Sequence, residues 1–417
     1  MDKRILQTII ADQQSMGWQA SYIERSFPGH LLSGNDIVVF SGIRRCGKST
    51  LLHQIRKDQD ERDFYMNFDD DRLIQFSVEN FQMLLELFIE LFGPQKTIYF
   101  DEIQNIYGWE RFIRRLYDYG YKVFITGSNA TMLSRELGTH LSGRHISYKL
   151  FPFSFSEYLR FNGFDAGKPS FFSTENRALA QKHFSDYFIF GGFPAYIKLR
   201  NPEYLKSLYE SILYRDVMVR NNLGNEKEIL ELVFYLASNV SKLSSYNSLS
   251  KIIGVSNAST VKNYISYLQN SYLIFPVNKY DFSLKKQIQN PKKIYFIDNA
   301  LIKTLGFYFT DDLGRMLENL VFLELKRRNH EIFYHTSKTE CDFLVRSGNS
   351  ISVAIQVSYS LSEKNTRLRE INGLLDAMQT YALNKGMIIT NNEEENLSID
   401  NKHISIVPAW KWLLERY

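Results

Sequence analysis

A glycine-rich octapeptide constrains the fold of this 417-residue chain more than any other feature. It runs from Gly42 to Ser49, reads GIRRCGKS and fits the pattern G-x-x-x-x-G-K-[ST]. Residues 37–40 before it are β-branched and aromatic, which is typical of a strand buried on both faces of a parallel sheet. A helical apolar pattern begins after it at Leu51. Strand, glycine-rich turn and helix in this order predict a doubly wound α/β fold with a parallel sheet.

The octapeptide predicts a phosphate-binding loop, because its glycines let backbone N–H groups point at phosphate oxygens and the next helix presents its positive N-terminus. Lys48 would reach the β- and γ-phosphates of ATP, and Ser49 would hold Mg²⁺. The candidate nucleotide-binding residues are Gly42, Ile43, Arg44, Arg45, Cys46, Gly47, Lys48, Ser49 and Thr50. We expect one of the two arginines to face phosphate and the other to face solvent, and the sequence leaves open which.

Two further apolar runs, residues 97–100 and 123–126, end in polar side chains. Asp101 and Glu102 follow the first run, and bare acids after a buried strand indicate a site, because uncompensated buried charge is costly. Asp101 would bind Mg²⁺ through water, and Glu102 would act as general base on the attacking water. Ser128 or Asn129, after the second run, is the candidate contact for the γ-phosphate.

The segments GIRRCGKST, YFDEIQ and ITGSNA, followed by LSGR and FPFSFSEYL, closely resemble a group of prokaryotic AAA-type ATPases. The resemblance spans nearly the whole chain. It implies an ATPase core, a helical segment that includes residues 191–194 and 214–216, a winged helix, and a smaller α/β domain resembling restriction endonucleases. We therefore expect an AAA-type core at 1–150, a helical lid at 151–225, a winged helix at 226–310 and a nuclease-like domain at 311–417.

By the same resemblance, Arg144 is the candidate arginine finger or sensor, a cation that stabilises charge on the transferring phosphoryl group. A surface ion pair is the alternative. If Arg144 acts in trans, the active form is a nucleotide-dependent homo-oligomer.

Residues 247–275 have a helix-turn-helix pattern with a glycine, Gly254, in the turn. Short polar groups on the second helix would reach base edges or phosphates, and a Lys-rich hairpin after residues 273–277 would form the wing. The candidate DNA-binding residues are Lys262, Lys285, Lys286, Lys292 and Lys293. A plain protein-contact module remains the alternative.

The end of the chain resembles the PD-(D/E)XK nuclease arrangement, with Glu318 on a helix and Asp342 on a strand. In that arrangement the acids gather Mg²⁺ and a lysine assists the attacking water. Gln356 stands where the second acid is expected, and Ser358 stands where the lysine is expected. The possible second metal site is therefore Glu318, Asp342 and Gln356, with Lys338 or Lys364 as spatial substitutes for the lysine. A retained fold used for docking is the alternative to cutting.

Charge is unevenly distributed along the chain. Residues 241–310 contain nine lysines and two acidic residues, a local net charge of +7, although the whole chain has a net charge of only +4. Lysines act as point charges suited to phosphate, so we expect phosphate-directed, salt-sensitive DNA binding.

Two cysteines, Cys46 and Cys341, cannot form a disulfide framework, and no apolar window reaches the length of a membrane helix. We expect a cytoplasmic protein without membrane contact. Three functions remain open: an ATPase that controls DNA engagement, an ATP-gated metal-dependent nuclease, and a non-hydrolysing scaffold that binds nucleotide.

Overall fold

The computed structural model describes residues 1–15, 22–128, 138, 141–164, 173–307 and 313–415, and Asn129 lies outside them. The chain divides into two compact units. The first comprises Met1–Phe151 with Asn270–Tyr272, and the second comprises Pro152–Gln269 with Leu273–Tyr417.

The first unit contains a five-stranded sheet with the order β2-β3-β4-β1-β5. Every pair of neighbouring strands in this sheet is parallel, as the sequence pattern predicts. The strands are β1 (Ile37–Ser41), β2 (Tyr65–Asn67), β3 (Thr97–Asp101), β4 (Lys122–Gly127) and β5 (His145–Lys149). Because parallel strands share one direction, β1, β3 and β4 end at the same edge of the sheet.

Helices cover the sheet of the first unit, and their apolar residues form its core with the central strands. The helices are α1 (Lys3–Ser15), α2 (Lys48–Lys57), α3 (Phe81–Phe92) and α4 (Trp109–Asp118). Stacked aromatic rings fill the core, and the ring centroids of Phe81 and Phe112 lie 4.6 Å apart. This core holds the ends of β1, β3 and β4 in a rigid frame.

The second unit begins with helices around a tight glycine turn. They are α5 (Phe155–Phe161), α6 (Thr174–Phe190), α7 (Pro194–Leu199), α8 (Pro202–Ser211), the π-helix Ile212–Val219 and α9 (Glu226–Ser238). Gly192 N–H donates to Asp298 Oδ2 over 2.7 Å, and Gly192 O accepts from Phe153 N–H over 2.7 Å. Gly191 has φ +65°, and a Cβ there would lie 2.0 Å from Asp298 Oδ1. The GGFP motif is therefore required by close backbone packing.

Two helices and a three-stranded antiparallel sheet follow. The elements are β6 (Leu243–Ser244), α10 (Tyr246–Ile252), α11 (Ala258–Asn270), β7 (Ile274–Asn278), α12 (Leu284–Gln289), β8 (Lys292–Phe296) and α13 (Asn299–Leu305). The sheet order is β6-β8-β7. The expected Lys-rich hairpin is wrong in one respect, because a short helix separates its strands and Lys292 and Lys293 belong to a buried strand.

The chain ends in a separate mixed sheet with the order β13-β14-β12-β11-β10-β9. Its elements are α14 (Leu313–Arg327), β9 (Glu331–Thr336), β10 (Glu340–Ser347), β11 (Ser350–Ser358), α15 (Lys364–Thr380), β12 (Lys385–Thr390), β13 (Glu395–Ile399), β14 (Lys402–Pro408) and α16 (Ala409–Trp412). Strands β11, β12 and β14 are parallel, and the other pairs are antiparallel.

Among the described helices, none is both long enough and apolar enough to cross a membrane.

The glycine turn predicts a specific loss of stability. A Cβ at Gly192 would lie 2.4 Å from Phe153 O, so Gly192→Ala is expected to lower the free energy of unfolding by about 1–3 kcal/mol. Gly314→Ala is the matched control, because its Cβ meets no atom within 4 Å in a helix and is expected to be neutral or stabilising. Urea unfolding of both variants measures the difference. Equal stabilities would contradict the packing requirement.

Candidate active site

The glycine-rich loop joins β1 to α2 at the edge of the sheet where β3 and β4 also end. A Cβ at Gly42 would lie 2.2 Å from Leu150 O, so only glycine fits there. Gly47 has φ +102° and precedes the first residue of α2, which places the loop N–H groups at a helix N-terminus. Local backbone geometry therefore matches an anion-binding loop.

Lys48 is the buried cation of this loop. Its Nζ donates to Gly42 O and Ile43 O, each over 3.2 Å, and lies 3.5 Å from Glu102 Oε1. Burial disfavours the charged ammonium, but the charges of Glu102 and Asp101 outweigh that cost and raise the pKa of Lys48. Lys48 is therefore positively charged within the loop that would bind the phosphates.

Asp101 and Glu102 lie at the end of β3 in different electrostatic environments. Burial, together with the charge of Glu102, raises the pKa of Asp101 to about 6, although Thr126, Ser49 and Lys48 oppose that rise. Burial also acts on Glu102, but Lys48 outweighs it and holds the pKa of Glu102 below its ordinary value. At neutral pH, Glu102 is therefore ionised, which is the form that a general base requires.

The residues around Asp101 fit a bound Mg²⁺. Thr126 donates its hydroxyl proton to Asp101 Oδ1, whereas Asp101 Oδ2 is buried and accepts no hydrogen bond from any described residue. A buried carboxylate oxygen without a partner is costly, and a divalent cation would remove that cost. Ser49 lies near enough to lower the pKa of the same carboxyl, so Ser49 and Asp101 are the residues that would hold the metal.

Glu102 adopts a strained backbone conformation and is held by a side chain that the sequence reasoning missed. Its φ is +51°, which is uncommon for a residue with a Cβ. Gln104 Nε2 donates to Glu102 Oε2 over 2.5 Å and lies 3.4 Å from Ser128 Oγ. Gln104 is buried, and the signal available in the sequence was an amide two residues after Glu102. Gln104 therefore orients the candidate base.

Arg25 is a second residue that the sequence reasoning missed. It is buried, and its guanidinium donates to Cys46 O and, over 2.7 Å, to Phe151 O. Gln54 accepts from Arg25 N–H over 2.8 Å. Nothing in the sequence around residue 25 marks it, because its role depends on contacts 21 and 126 residues away.

The two loop arginines differ in their exposure. Arg44 is partly buried, and its charge lowers the pKa of Glu102, whereas Arg45 is exposed with φ +59°. Arg44 therefore faces the acids. Ser128 is buried beside Gln104, and Asn129 lies outside the described residues.

Arg144 is not beside the other candidate residues of its own chain. Its carbonyl accepts from Ile37 N–H over 2.9 Å at the start of β1, whereas the phosphate loop follows the end of β1 at Ser41. The rise from Ile37 to Ser41 along β1 is four residues, so about 13 Å separates these two edges of the sheet. The guanidinium Nε lies 3.6 Å from Asp118 Oδ1 on the surface.

The candidate DNA-binding lysines fall into two groups. Lys262, Lys285 and Lys286 are exposed, the first on α11 and the others on α12. Lys292 and Lys293 are only 5% and 2% exposed, so the expectation that they contact DNA is wrong. Lys292 Nζ donates to Gln287 O over 2.5 Å and to Ile288 O over 3.0 Å, and Lys293 Nζ is enclosed by acids.

The acids predicted as a second metal site do converge, but around a lysine. Lys293 Nζ lies 2.9 Å from Glu318 Oε1 and 2.8 Å from Asp342 Oδ1. Gln356 Oε1 accepts from Asp342 N–H over 3.1 Å, so its carbonyl is engaged with the backbone. Within the part of the chain that the structure describes, no three His, Cys, Asp or Glu side chains are arranged to hold a metal ion.

Family models match three consecutive segments of the chain. Residues 34–159 match the AAA domain. Residues 181–312 and 313–412 match two domains of unknown function, DUF8612 and DUF4143.

Two proteins resemble the chain over most of its length. The uncharacterized protein MJ1544 of Methanocaldococcus jannaschii is 36% identical over an alignment of 435 positions, gaps included. The alignment covers 99% of this chain and 96% of that protein. An uncharacterized protein of Haemophilus influenzae is 30% identical over 397 residues, which cover 91% of this chain and 94% of that protein. Among solved structures, PCH-2 of C. elegans matches 50% of this chain and 61% of its own at 12% identity, with a TM-score of 0.30. A likeness this weak carries no functional argument.

The opposite environments of the two acids predict opposite effects on stability. Ionisation of Asp101 opposes folding, because its pKa in the folded protein is about 6 and lies above the ordinary 3.8. This penalty is absent below pH 3.8 and grows as the pH rises through 6. Without divalent metal at pH 8, Asp101→Asn is expected to raise the melting temperature by roughly 2–4 °C, with a smaller gain at pH 5.

Glu102→Gln is the matched variant for this experiment. It removes the carboxylate that compensates buried Lys48, so its melting temperature at pH 8 is expected to fall. A lower melting temperature for Asp101→Asn at pH 8 would contradict the assignment.

Proposed function

The chain belongs to the protein family of Methanocaldococcus jannaschii MJ1544, and from that premise we propose that it is an AAA-type ATPase. One observation carries the proposal. Lys48 Nζ, from the phosphate loop, lies 3.5 Å from Glu102 Oε1, at the end of the neighbouring strand β3. A phosphate-binding cation and a candidate base thus meet at one edge of the parallel sheet, where ligands bind in open α/β folds.

The proposed roles follow from these positions. Residues 42–50 bind the nucleotide, and Lys48 neutralises its β- and γ-phosphates. Glu102 takes a proton from the attacking water, Gln104 orients Glu102, and Ser128 is the described candidate for contact with the γ-phosphate. Mg²⁺, when bound, would neutralise negative charge that develops on the phosphates. Ser49 and Asp101 would hold it.

Arg144 enters the proposal only as a residue of a neighbouring copy. It lies at the edge of the sheet opposite the phosphate loop of its own chain, with its side chain about one-third exposed. An arginine there would stabilise a transferring phosphoryl group in another protomer, in a nucleotide-dependent homo-oligomer.

We also propose that ATP turnover controls engagement of DNA by residues 226–310. The order α9, β6, α10, α11, β7 and β8, with one antiparallel sheet, supports the winged-helix interpretation of this segment. Lys262, Lys285 and Lys286 are exposed there and would bind phosphate. The proposal also includes four domains: a core at 1–150, a helical lid at 151–225, a winged helix at 226–310 and a nuclease-like domain at 311–417. A cytoplasmic location is part of it as well.

Removing the candidate base tests the ATPase. Glu102→Gln is expected to bind ATP and to hydrolyse it about 10²–10⁴ times more slowly than the wild-type protein, because general base catalysis is lost. Hydrolysis is measured by phosphate release, and binding by a fluorescent ATP analogue. Glu79→Gln, an exposed change in the same unit, is the control. Hydrolysis by Glu102→Gln at the wild-type rate would exclude the assigned mechanism.

Reversing two exposed charges tests the DNA surface. Lys285→Glu with Lys286→Glu is expected to weaken DNA binding by roughly tenfold or more near 0.1 M salt and to flatten its salt dependence, because two phosphate contacts are lost. Fluorescence anisotropy with single-stranded, duplex and branched DNA measures the affinity. Lys198→Glu with Lys385→Glu changes the net charge equally at exposed positions elsewhere. Equal affinities of the two double variants would refute the surface.

A further inference from the structure

The acid cluster of the second unit is built around an ammonium group. Lys293 lies on β8, whereas the acids lie on α14 and β10. Its Nζ is 2.9 Å from Glu318 Oε1, 2.6 Å from Glu340 Oε1 and 2.8 Å from Asp342 Oδ1. Its N–H groups donate to Glu318 and Asp342, and Glu340 completes a group of three carboxylates around the ammonium.

Several other atoms of the cluster have hydrogen-bond partners as well. Asp342 Oδ2 accepts from Val357 N–H over 2.9 Å, and the Tyr295 hydroxyl donates to Glu318 Oε1 over 2.6 Å. Gln356 Nε2 donates to Glu370 Oε2 over 2.5 Å. The amide that stands in place of an acid therefore joins the Glu370 carboxyl group to the backbone N–H of Asp342, which its oxygen accepts.

Charges in the cluster support this arrangement. Burial disfavours the ammonium, but Asp342 and Glu318 outweigh that cost and hold the pKa of Lys293 well above its ordinary value. Burial and the charge of Asp342 raise the pKa of Glu318 to about 7, against the opposing effect of Lys293. The lysine is charged at neutral pH, and without it the acids would form an uncompensated negative cluster.

We infer that Lys293 is the resident cation of this cluster and that its ammonium group occupies the position of a divalent metal. The C-terminal domain consequently binds no divalent metal while β8 is in place. The missing lysine of the PD-(D/E)XK pattern thus has a counterpart 65 residues before Ser358 in the sequence. Its position differs from that of a catalytic lysine, because its Nζ donates to Glu318 and Asp342 and also forms an ion pair with Glu340.

The cluster also links two parts of the second unit. The exposed lysines Lys285 and Lys286 lie on α12, which directly precedes β8. Among the described residues, Lys293 is the one cation in contact with all three acids, so withdrawal of β8 would leave them without it. The geometry therefore joins the candidate DNA surface to the acid cluster.

Metal binding by the full-length protein tests the inference. Mn²⁺ is titrated without nucleotide and followed by electron paramagnetic resonance, in an Asp101→Asn background that removes the metal ligand of the first unit. The background protein is expected to bind no Mn²⁺ at the acid cluster. Adding Lys293→Ala is expected to create one Mn²⁺ site per chain, because Glu318 and Asp342 then lack their cation. Adding Asp342→Asn to that variant should abolish the new site.

Buried acids without a cation can prevent folding, so a second variant accompanies the first. Lys293→Met with Glu340→Gln removes one positive and one negative group and leaves Glu318 and Asp342 in place. Far-ultraviolet circular dichroism establishes that each variant is folded. Mn²⁺ binding by the background protein that Asp342→Asn abolishes would overturn the inference. Failure of the folded Lys293 variants to bind Mn²⁺ would overturn it as well. Neither outcome depends on ATP hydrolysis, so the proposed ATPase is judged separately.

Discussion

A buried ammonium group is costly unless carboxylates compensate its charge, and this constraint organises both candidate sites of the chain. Lys48 has Glu102 at 3.5 Å and otherwise donates to backbone carbonyls, so its charge can be redirected to a phosphate. Lys293 is enclosed by three carboxylates. Lys292 shows the contrast, because burial among carbonyl groups lowers its pKa. The number of neighbouring acids thus distinguishes Lys48, the candidate phosphate ligand, from Lys293.

Converging acidic side chains can therefore have different chemical roles within one chain. In the first unit, the glycines, Lys48 and the acids of β3 converge as their spacing predicts, and Asp101 keeps a buried oxygen that a cation would satisfy. In the second unit, Glu318 and Asp342 also converge as predicted, yet a lysine already lies between them. Convergence of acids indicates a cation, and only the full set of neighbours identifies which cation.

Short-range patterns predicted the secondary structure well wherever burial was continuous. The apolar runs at residues 37–40, 97–100 and 123–126 are strands, and two helices lie on either side of Gly254, as the helix-turn-helix pattern predicted. Strand β5 was missed because HISYK alternates and is half exposed, and β2 was missed because it has three residues. The lysines of β8 were misread because charge usually indicates a surface.

The sequence by itself determined the α/β class of the first unit and the phosphate loop, because strand burial and loop chemistry depend on neighbouring residues. Only the tertiary structure decided the roles of Arg25, Gln104 and Lys293. Each of these side chains is buried. Arg25 and Lys293 contact groups 21 to 126 residues away in the chain, and Gln104 reaches both Glu102 and a serine on the next strand. Buried charges and buried polar groups need partners, and those partners can come from distant parts of the chain. The spacing of residues along the sequence therefore does not show which residues will be the partners.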